Sequence, residues 1–301
     1  MVFAAISLVV GMLRRWKDDS AMKILGFAVT AAAVVMTVLT PLAAQAQSAA
    51  SDWMRGNSSR VRLIAARVKT GKLLAGVQVE LDEGWKTYWR NPGEAGGVPP
   101  ELDWKASGNL AENVVMFPAP IRLRDANGDN IGYKHGVTLP VRITAADPAK
   151  PVTLDLKILF GVCKNICIPE DRHLTLTLDS GGATDAAIIA LLDTAIARVP
   201  VAAAENSAAT QIEALTLDAA KHVLLIDTRV AGPAESADLF IESPDGLYVP
   251  MTEKRSGGPE GLVRFAVDLT KSDDMKTPSG KSLRFTLVGE AGASETVRAV
   301  P

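Results

Sequence analysis

Alternation of apolar and polar side chains constrains the fold of this chain more than any other feature. Every second residue from Val152 to Phe160 is apolar, and the same period returns over residues 174–178. Successive side chains of a strand point to opposite faces of a sheet, so this period is typical of strands with one buried face. Turn-forming residues separate further stretches of this kind. The sequence therefore predicts a mostly β protein, with strands near residues 61–68, 73–81, 85–90, 137–143, 152–160, 174–178, 222–230, 237–242, 262–269 and 282–288.

One segment has helical periodicity instead. Residues 185–199 carry an apolar stripe, Thr184 is the expected N-cap and Pro200 the expected stop. The stripe consists of Ile188, Ile189, Leu192, Ile196 and Val199. We therefore predict an all-β fold of two immunoglobulin-like β-sandwiches, residues 58–180 and 205–301, joined by a linker helix over residues 184–200. Residues 205–301 contain no cluster to which a role can be assigned.

The N-terminal residues have the organisation of a secretory signal. Met22 is the expected start, Lys23 supplies a positive charge, and residues 24–39 are apolar. Small residues at 44–46 then offer a cleavage site after Ala46. A bilayer span needs about twenty apolar residues, which this stretch does not reach. We therefore predict that residues 1–46 are a signal region and that the mature chain is periplasmic, with no membrane span.

Charge and composition exclude several classes of function. The 301 residues include 32 Lys and Arg against 34 Asp and Glu, and no dense basic run is present. A nucleic-acid partner is therefore not expected, because such a surface must neutralise several phosphates together. The sequence has no Gly-rich phosphate loop, nucleophile–base pattern or zinc-ligand spacing, so we expect neither a cofactor nor a resident metal.

The two cysteines are separated by three residues, in the order Cys163-Lys164-Asn165-Ile166-Cys167. Across a short turn or along one helical turn, this spacing brings the Cα atoms near the distance that a disulfide prefers. In an oxidising compartment such a bond can be a structural staple or a redox-active pair. A loop this short stabilises the fold by only about 2 kcal/mol, which a domain of this size does not need. Short-loop bridges are more often strained, and strained or exposed bridges are more easily reduced. These arguments favour a redox-active pair, and the absence of a helix start with Cys-x-x-Cys excludes a thioredoxin-like motif.

Three ordered blocks of sequence resemble a known family. They are Gly84–Gly93 with its two tryptophans, Gly132-Tyr133-Lys134 leading into residues 137–141, and the segment ending Cys167-Ile168-Pro169-Glu170. Over about residues 58–180 the chain resembles the N-terminal periplasmic domain of the disulfide reductase DsbD and its copper-tolerance relative ScsB. The best-known members have five residues between the cysteines, whereas this chain has three, as in the ScsB-like branch.

The resemblance implies an immunoglobulin-like domain that relays electrons through Cys163 and Cys167. Cys167 would bond to the partner and Cys163 would resolve the mixed disulfide. The implied partners are thioredoxin-fold proteins, and, because the chain ends at Pro301 without the family's membrane domain, a CcdA-like membrane electron transporter acting in trans. Family members also protect the pair with a covering loop. By position, residues 125–134 are the expected cover, with Tyr133 as its aromatic edge. The alternative is that residues 125–130 are simply a polar turn, which is what their composition usually indicates.

Two alternatives from other functional classes remain open. Cys163, Cys167 and His173, with Met116 as a further ligand, could bind a soft metal such as Cu(I). Alternatively, the chain could be a non-catalytic binding module with a structural disulfide and an aromatic stacking platform. The platform would consist of Trp85, Tyr88, Trp89 and Trp104. Alternation places Trp85 and Trp89 on one face of a strand, which is more typical of a core.

Overall fold

A computed structural model describes residues 49–67, 73–124, 128–179, 185–203 and 210–301. The predicted signal region therefore lies outside the described residues, as does Thr184. Residues 47–301 form one compact unit. The described residues contain nineteen strands and one α-helix, and none of their helices combines the length and the apolar character that a bilayer crossing requires.

Two antiparallel sheets face each other in the first half of the described chain. Their strands are β1 (Met54–Arg55), β2 (Ser59–Arg67), β3 (Leu73–Leu81), β4 (Lys86–Gly93), β5 (Glu101–Asp103), β6 (Leu110–Val115), β7 (Ile121–Leu123), β8 (Asn130–Lys134), β9 (Gly136–Ala145), β10 (Val152–Cys163) and β11 (Cys167–Leu178). The first sheet has the order β1-β2-β3-β9-β6. The second has the order β11-β10-β4-β8-β7, with β5 also paired to β10.

Alternating apolar side chains fill the space between these two sheets, as the sequence predicted. Leu63, Val77 and Leu139 come from the first sheet, and Leu156 and Phe160 from the second, and all five are buried in one core cluster. Removing this apolar surface from water is the main stabilising contribution to such a sandwich. The prediction of an all-β, immunoglobulin-like architecture is confirmed.

The helix α1 (Ala186–Ala197) packs on the outer face of the first sheet, against β2, β3 and β9. Leu192 lies over Gly76, where a Cβ would come within 2.9 Å of the Leu192 Cδ2 atom. Because the helix covers one face and the second sheet the other, the first seven residues of β3 are all buried. The N-cap is Asp185, not the expected Thr184, because the Asp185 carboxylate accepts the N–H groups of Ala187 and Ile188.

Two further sheets occupy the second half of the described chain. Their strands are β12 (Val201–Ala202), β13 (Thr210–Asp218), β14 (Val223–Val230), β15 (Asp238–Glu242), β16 (Glu253–Arg255), β17 (Val263–Asp268), β18 (Ser282–Gly289) and β19 (Gly292–Ala299). One sheet has the order β12-β19-β18-β15 and the other β13-β14-β17-β16. Phe265, Phe285 and Met275 are among the buried residues of a separate core cluster.

The two sandwiches meet through β4 and β8 of one and β15 of the other. The Trp89 and Phe240 rings lie with centroids 6.1 Å apart, in a small apolar cluster with Ile131 and Tyr133. Arg90, the next residue of β4, bonds to Glu242 at 2.7 Å and also pairs with the Glu295 carboxylate. Burial by itself would lower the pKa of Arg90, but the hydrogen bonds and charges of the two carboxylates outweigh burial and raise it.

A second arginine reinforces the same contact. Arg122 of β7 binds both carboxylate oxygens of Asp238, at 2.8 and 3.0 Å, and it also bonds to Asp129 and Thr252. Charge-assisted bidentate bonds of this kind are directional as well as strong. The contact between the sandwiches therefore has an apolar centre, and two arginines on its border, Arg90 and Arg122, form ion pairs across it.

Candidate functional site

The two cysteines close the hairpin between β10 and β11. Cys163 and Cys167 are the last directly opposite pair of that ladder, their sulfurs are bonded, and their Cα atoms are 4.2 Å apart. Lys164, Asn165 and Ile166 form the loop, in which the Lys164 N–H donates to the Ile166 carbonyl at 3.2 Å. The spacing left both a turn and a helix open, and the structure places the pair at a hairpin end.

The two cysteines differ in exposure. Cys163 is 5% exposed, whereas Cys167 is exposed at the start of β11, which is the edge strand of its sheet. Ile166, beside Cys167 in the loop, is 64% exposed. Thiol exchange needs an attacking sulfur that another molecule can approach, and Cys167 meets that requirement.

A buried tyrosine reaches the exposed cysteine from β4. The Tyr88 hydroxyl oxygen lies 3.0 Å from Cys167 Sγ, while the tyrosine as a whole is 1% exposed. Its ring is enclosed by Gly97 and Gly161, where a Cβ would come within 2.3 and 2.9 Å of ring atoms. The Gly161 N–H donates to the Val98 carbonyl at 2.8 Å. The Pro- and Gly-rich residues 94–100 therefore help to hold the Tyr88 ring beside the disulfide.

Sequence reasoning missed this role of Tyr88. In the sequence, Tyr88 is notable only as part of the family-like block over Gly84–Gly93 and of the expected stacking platform. Alternation offered a usable signal, since it places Tyr88 on the face opposite Trp89 and therefore on the outer face, which also carries the cysteines. The order of the strands in the sheet decides which outer-face residue contacts the sulfur. The sequence of a single strand does not contain that order.

The structure does not bring Tyr133 to the disulfide. Tyr133 pairs with Thr87 across β8 and β4, and is therefore on the face opposite Tyr88 and the cysteines. It is buried in the cluster between the sandwiches and its hydroxyl donates to the Pro118 carbonyl at 2.8 Å. Burial raises the pKa of Tyr133 well above that of a free tyrosine.

The expected covering segment is only partly described. Residues 125–127 lie outside the described residues, whereas residues 130–134 form the strand β8 and not a loop. The strand is fixed because it pairs with β4 on one side and β7 on the other. Tertiary pairing has here overridden the turn-forming composition of the local sequence.

A buried carboxylate anchors the strand that begins at Cys167. Glu170 has a fully buried side chain, which accepts hydrogen bonds from the Asn57 N–H at 2.9 Å and the Ser59 hydroxyl at 2.5 Å. Arg172 pairs with the same carboxylate at 3.1 Å. Since residues 57–59 lead into β2, Glu170 ties the beginning of β11 to the opposite sheet three residues after the exposed sulfur.

The alternative metal ligands do not converge. His173 lies six residues from Cys167 along β11, a separation of about 20 Å at the rise of a strand. Its Nε2 atom lies 2.7 Å from the Asp155 carboxylate. Met116 lies instead near Arg142, whose guanidinium approaches the sulfur at 3.8 Å. Across the described ranges, no group of three or more His, Cys, Asp or Glu side chains is arranged to hold a metal ion.

The aromatic residues of the proposed stacking platform belong to the interior. Tyr88, Trp89 and Trp104 are at most 6% exposed, and Trp85 packs partly buried against the main core. The enclosed rings of Tyr88, Trp89 and Trp104 cannot stack on a ligand, so the four residues do not form a platform. The aromatic cluster of the sequence therefore serves the core, apart from the hydroxyl of Tyr88.

Comparison with known proteins gives one matching family and one similar fold. Residues 60–179 match the family described as the N-terminal part of the thiol:disulfide interchange protein DsbD, which confirms the resemblance drawn from the sequence. The fold is similar to that of the N-terminal periplasmic domain of ScsB from Proteus mirabilis, with a TM-score of 0.67 and 24% identity over 84% of this chain and 99% of that one.

Other comparisons add no argument. The match to the GAE domain of yeast GGA1 covers 41% of this chain and 94% of that domain, with 11% identity and a TM-score of 0.23. This TM-score is too low to support a common fold. No curated protein sequence matches the chain significantly.

Proposed function

We propose that this chain, whose residues 60–179 match the N-terminal DsbD family, is a periplasmic module that relays electrons by thiol–disulfide exchange. The observation that carries the proposal is the bonded pair at the end of the β10–β11 hairpin, with Cys167 exposed and Cys163 buried. The family match supports thiol–disulfide interchange as the chemistry.

The exchange has two steps. In the reduced protein, the Cys167 thiolate attacks one sulfur of a partner's disulfide, so that a mixed disulfide forms and the partner's second sulfur leaves as a thiolate. The Cys163 thiolate then attacks Cys167 Sγ, which closes the intramolecular bond and releases the partner's first sulfur. Two electrons pass to the partner, the dithiol becomes a disulfide, and the same steps in reverse reload the pair.

The surrounding residues serve this exchange through hydrogen bonding and burial. The Tyr88 hydroxyl is placed to donate to the Cys167 thiolate and so to stabilise its charged form. Burial of Cys163 keeps the resolving sulfur away from other molecules until the mixed disulfide forms. No cofactor takes part, because sulfur exchange carries both electrons.

The proposed partners are thioredoxin-fold proteins, together with a CcdA-like membrane electron transporter acting in trans. Periplasmic location is supported by the family match and by the periplasmic origin of the ScsB domain. We further propose that residues 1–46 are a cleaved signal, from the organisation of their sequence alone. We assign the exchange to residues 58–180. For residues 205–301 we propose a docking or spacing role, supported by the arginine contacts that join them to β4 and β7.

The test is electron transfer to the oxidised protein. The purified protein is mixed with a reduced thioredoxin-fold protein, and free thiols are counted by the gel shift that a maleimide polymer produces. We expect two new thiols per molecule, and none in a variant with both cysteines replaced by serine. The proposal fails if dithiothreitol reduces the bond but no thioredoxin-fold reductant does, or if the potential lies well below about −300 mV, which is typical of structural bridges.

A further inference from the structure

Lysines lie in line with the disulfide across the outer face of the second sheet. Cys163 is directly opposite Lys86 of β4, and Lys86 is directly opposite Lys134 of β8. Because directly opposite residues share a face, Cys167, Cys163, Lys86 and Lys134 form one row over four adjacent strands. The Cβ atoms of such pairs are about 5 Å apart. Lys164, in the loop between the cysteines, adds a third positive charge.

The Lys86–Lys134 pair departs from the ordinary rule for sheets. Like charges directly opposite one another destabilise a pair of strands. A local rule broken without a structural gain is expected at a functional site. Lys86 Nζ donates to the neutral amide oxygen of Asn130 at 2.9 Å, and Lys164 Nζ to the Glu83 carbonyl at 3.3 Å. Neither of these hydrogen bonds neutralises the charge of its lysine.

The nearby acidic residues only partly offset these charges. Asp82 pairs with Arg55, and Glu170 is buried with Arg172. The side chains of Glu83 and Asp171 are exposed, Asp171 being four residues along β11 from Cys167, or about 13 Å. Within the part of the chain that the structure describes, neither Lys134 nor Lys164 makes an ion pair, and both are exposed. A chain with a net charge of −2 thus carries a positive border around its disulfide.

We propose that Lys86, Lys134 and Lys164 make this site selective for disulfides that are flanked by negative charge. The natural partner is then a thioredoxin-fold protein that presents carboxylates around its cysteine pair. The inference rests on the proposed function and specifies its partner. A positive border raises the local concentration of an anionic partner, and it also stabilises the negative charge shared by three sulfurs during exchange.

Small disulfides of known charge test this selectivity directly. The full chain is reduced, freed of reductant and mixed with 5,5′-dithiobis(2-nitrobenzoate), which is negative, with 4,4′-dithiodipyridine, which is neutral, or with cystamine, which is positive. With each reagent, the Cys167 thiolate bonds to one sulfur and the other sulfur leaves as a thiolate or thione. Cys163 then closes the protein disulfide and releases the second sulfur. The second-order rate constants are measured by stopped flow.

The variants are the double variant Lys86→Gln with Lys134→Gln, the single variant Lys164→Gln, and the control Lys276→Gln. The control removes one positive charge, as Lys164→Gln does, from a 75% exposed side chain in the second sandwich. We expect the ratio of the negative to the positive reagent's rate to fall about three- to tenfold per lysine variant and to stay constant in the control. In the unchanged protein the ratio falls with added salt, because the screening length drops from about 30 Å at 0.01 M to about 3 Å at 1 M.

The neutral reagent separates the possible failures. If it reacts normally while the ratio is the same in all variants, the inference is overturned and the proposed function stands. If only Lys164→Gln lowers the ratio, the assignment of Lys86 and Lys134 is overturned. A reduced protein that reacts with none of the three reagents overturns the proposed function, and the inference with it.

Discussion

The Tyr88 hydroxyl oxygen lies 3.0 Å from Cys167 Sγ, although 79 positions separate the two residues along the chain. The pairing of β4 with β10 creates this contact, and the enclosure of the ring by Gly97 and Gly161 maintains it. The exposed sulfur of Cys167 therefore has a hydrogen-bond donor in the hydroxyl of a buried tyrosine. A donor in this position favours the thiolate over the thiol.

Replacing Tyr88 with phenylalanine should slow the alkylation of reduced Cys167 by iodoacetamide at pH 7 by about threefold or more, since a hydrogen bond to a charged group is worth about 1.5–3 kcal/mol. The ring and its packing are kept, so the melting temperature should change little. Tyr248→Phe, in the second sandwich and 42% exposed, is the control. An unchanged rate in Tyr88→Phe would show that the hydroxyl does not stabilise the thiolate.

The two cysteines should behave differently when each is left alone. Cys163→Ser leaves the exposed sulfur, and it should form a stable mixed disulfide with a thioredoxin-fold partner, visible by mass spectrometry. Cys167→Ser leaves the sulfur that is 5% exposed, and it should react at least about tenfold more slowly, because attack needs access. Equal yields from the two variants would contradict the assignment of Cys167 as the attacking residue.

Arg90→Ala should lower the free energy of unfolding by about 2–3 kcal/mol, because the Glu242 carboxylate loses its ion-pair partner and Glu295 keeps only Arg284. Urea unfolding measures the change. Arg55→Ala is the comparison, since its ion pair with Asp82 is exposed and should contribute less than about 1 kcal/mol. Similar losses in the two variants would mean that the Arg90 contact is no stronger than a surface pair.

Glu170→Gln should destabilise the protein by about 1–3 kcal/mol, because it removes the charge that Arg172 and the donors at Asn57 and Ser59 recognise in a buried site. Urea unfolding gives the stability. Hydrogen exchange should show faster opening at the start of β11 than in the unchanged protein. If exchange there is unaffected, Glu170 does not anchor that strand.

The buried Tyr133 hydroxyl should make the protein less stable at high pH. Burial raises its pKa in the folded protein, whereas the unfolded chain ionises near about pH 10. The folded state therefore holds this proton more tightly, and the contribution is present below pH 10 and lost as the pH rises further. The free energy of unfolding, measured with urea between pH 8 and 11, should fall more steeply in the unchanged protein than in Tyr133→Phe. Parallel pH profiles would contradict this.

Local pattern predicted the strands that flank the cysteines because period two along β10 and β11 reflects one buried and one open face. It predicted β3 over the correct residues as well, although that strand is buried on both faces under α1. It failed for β8, where Asn130 and Gly132 are typical of turns but pairing on both sides imposes an extended strand.

The sequence by itself determined that Cys163 and Cys167 would be neighbours, because three intervening residues leave the two sulfurs little room to separate. Tertiary structure alone decided that Cys167 is exposed and Cys163 buried, that Tyr88 and not Tyr133 reaches the sulfur, and that lysines from two other strands stand beside the pair. The physical reason is that exposure and cross-strand contacts depend on which distant strands pair and which loops cover them. A period read along one strand carries no information about its neighbours.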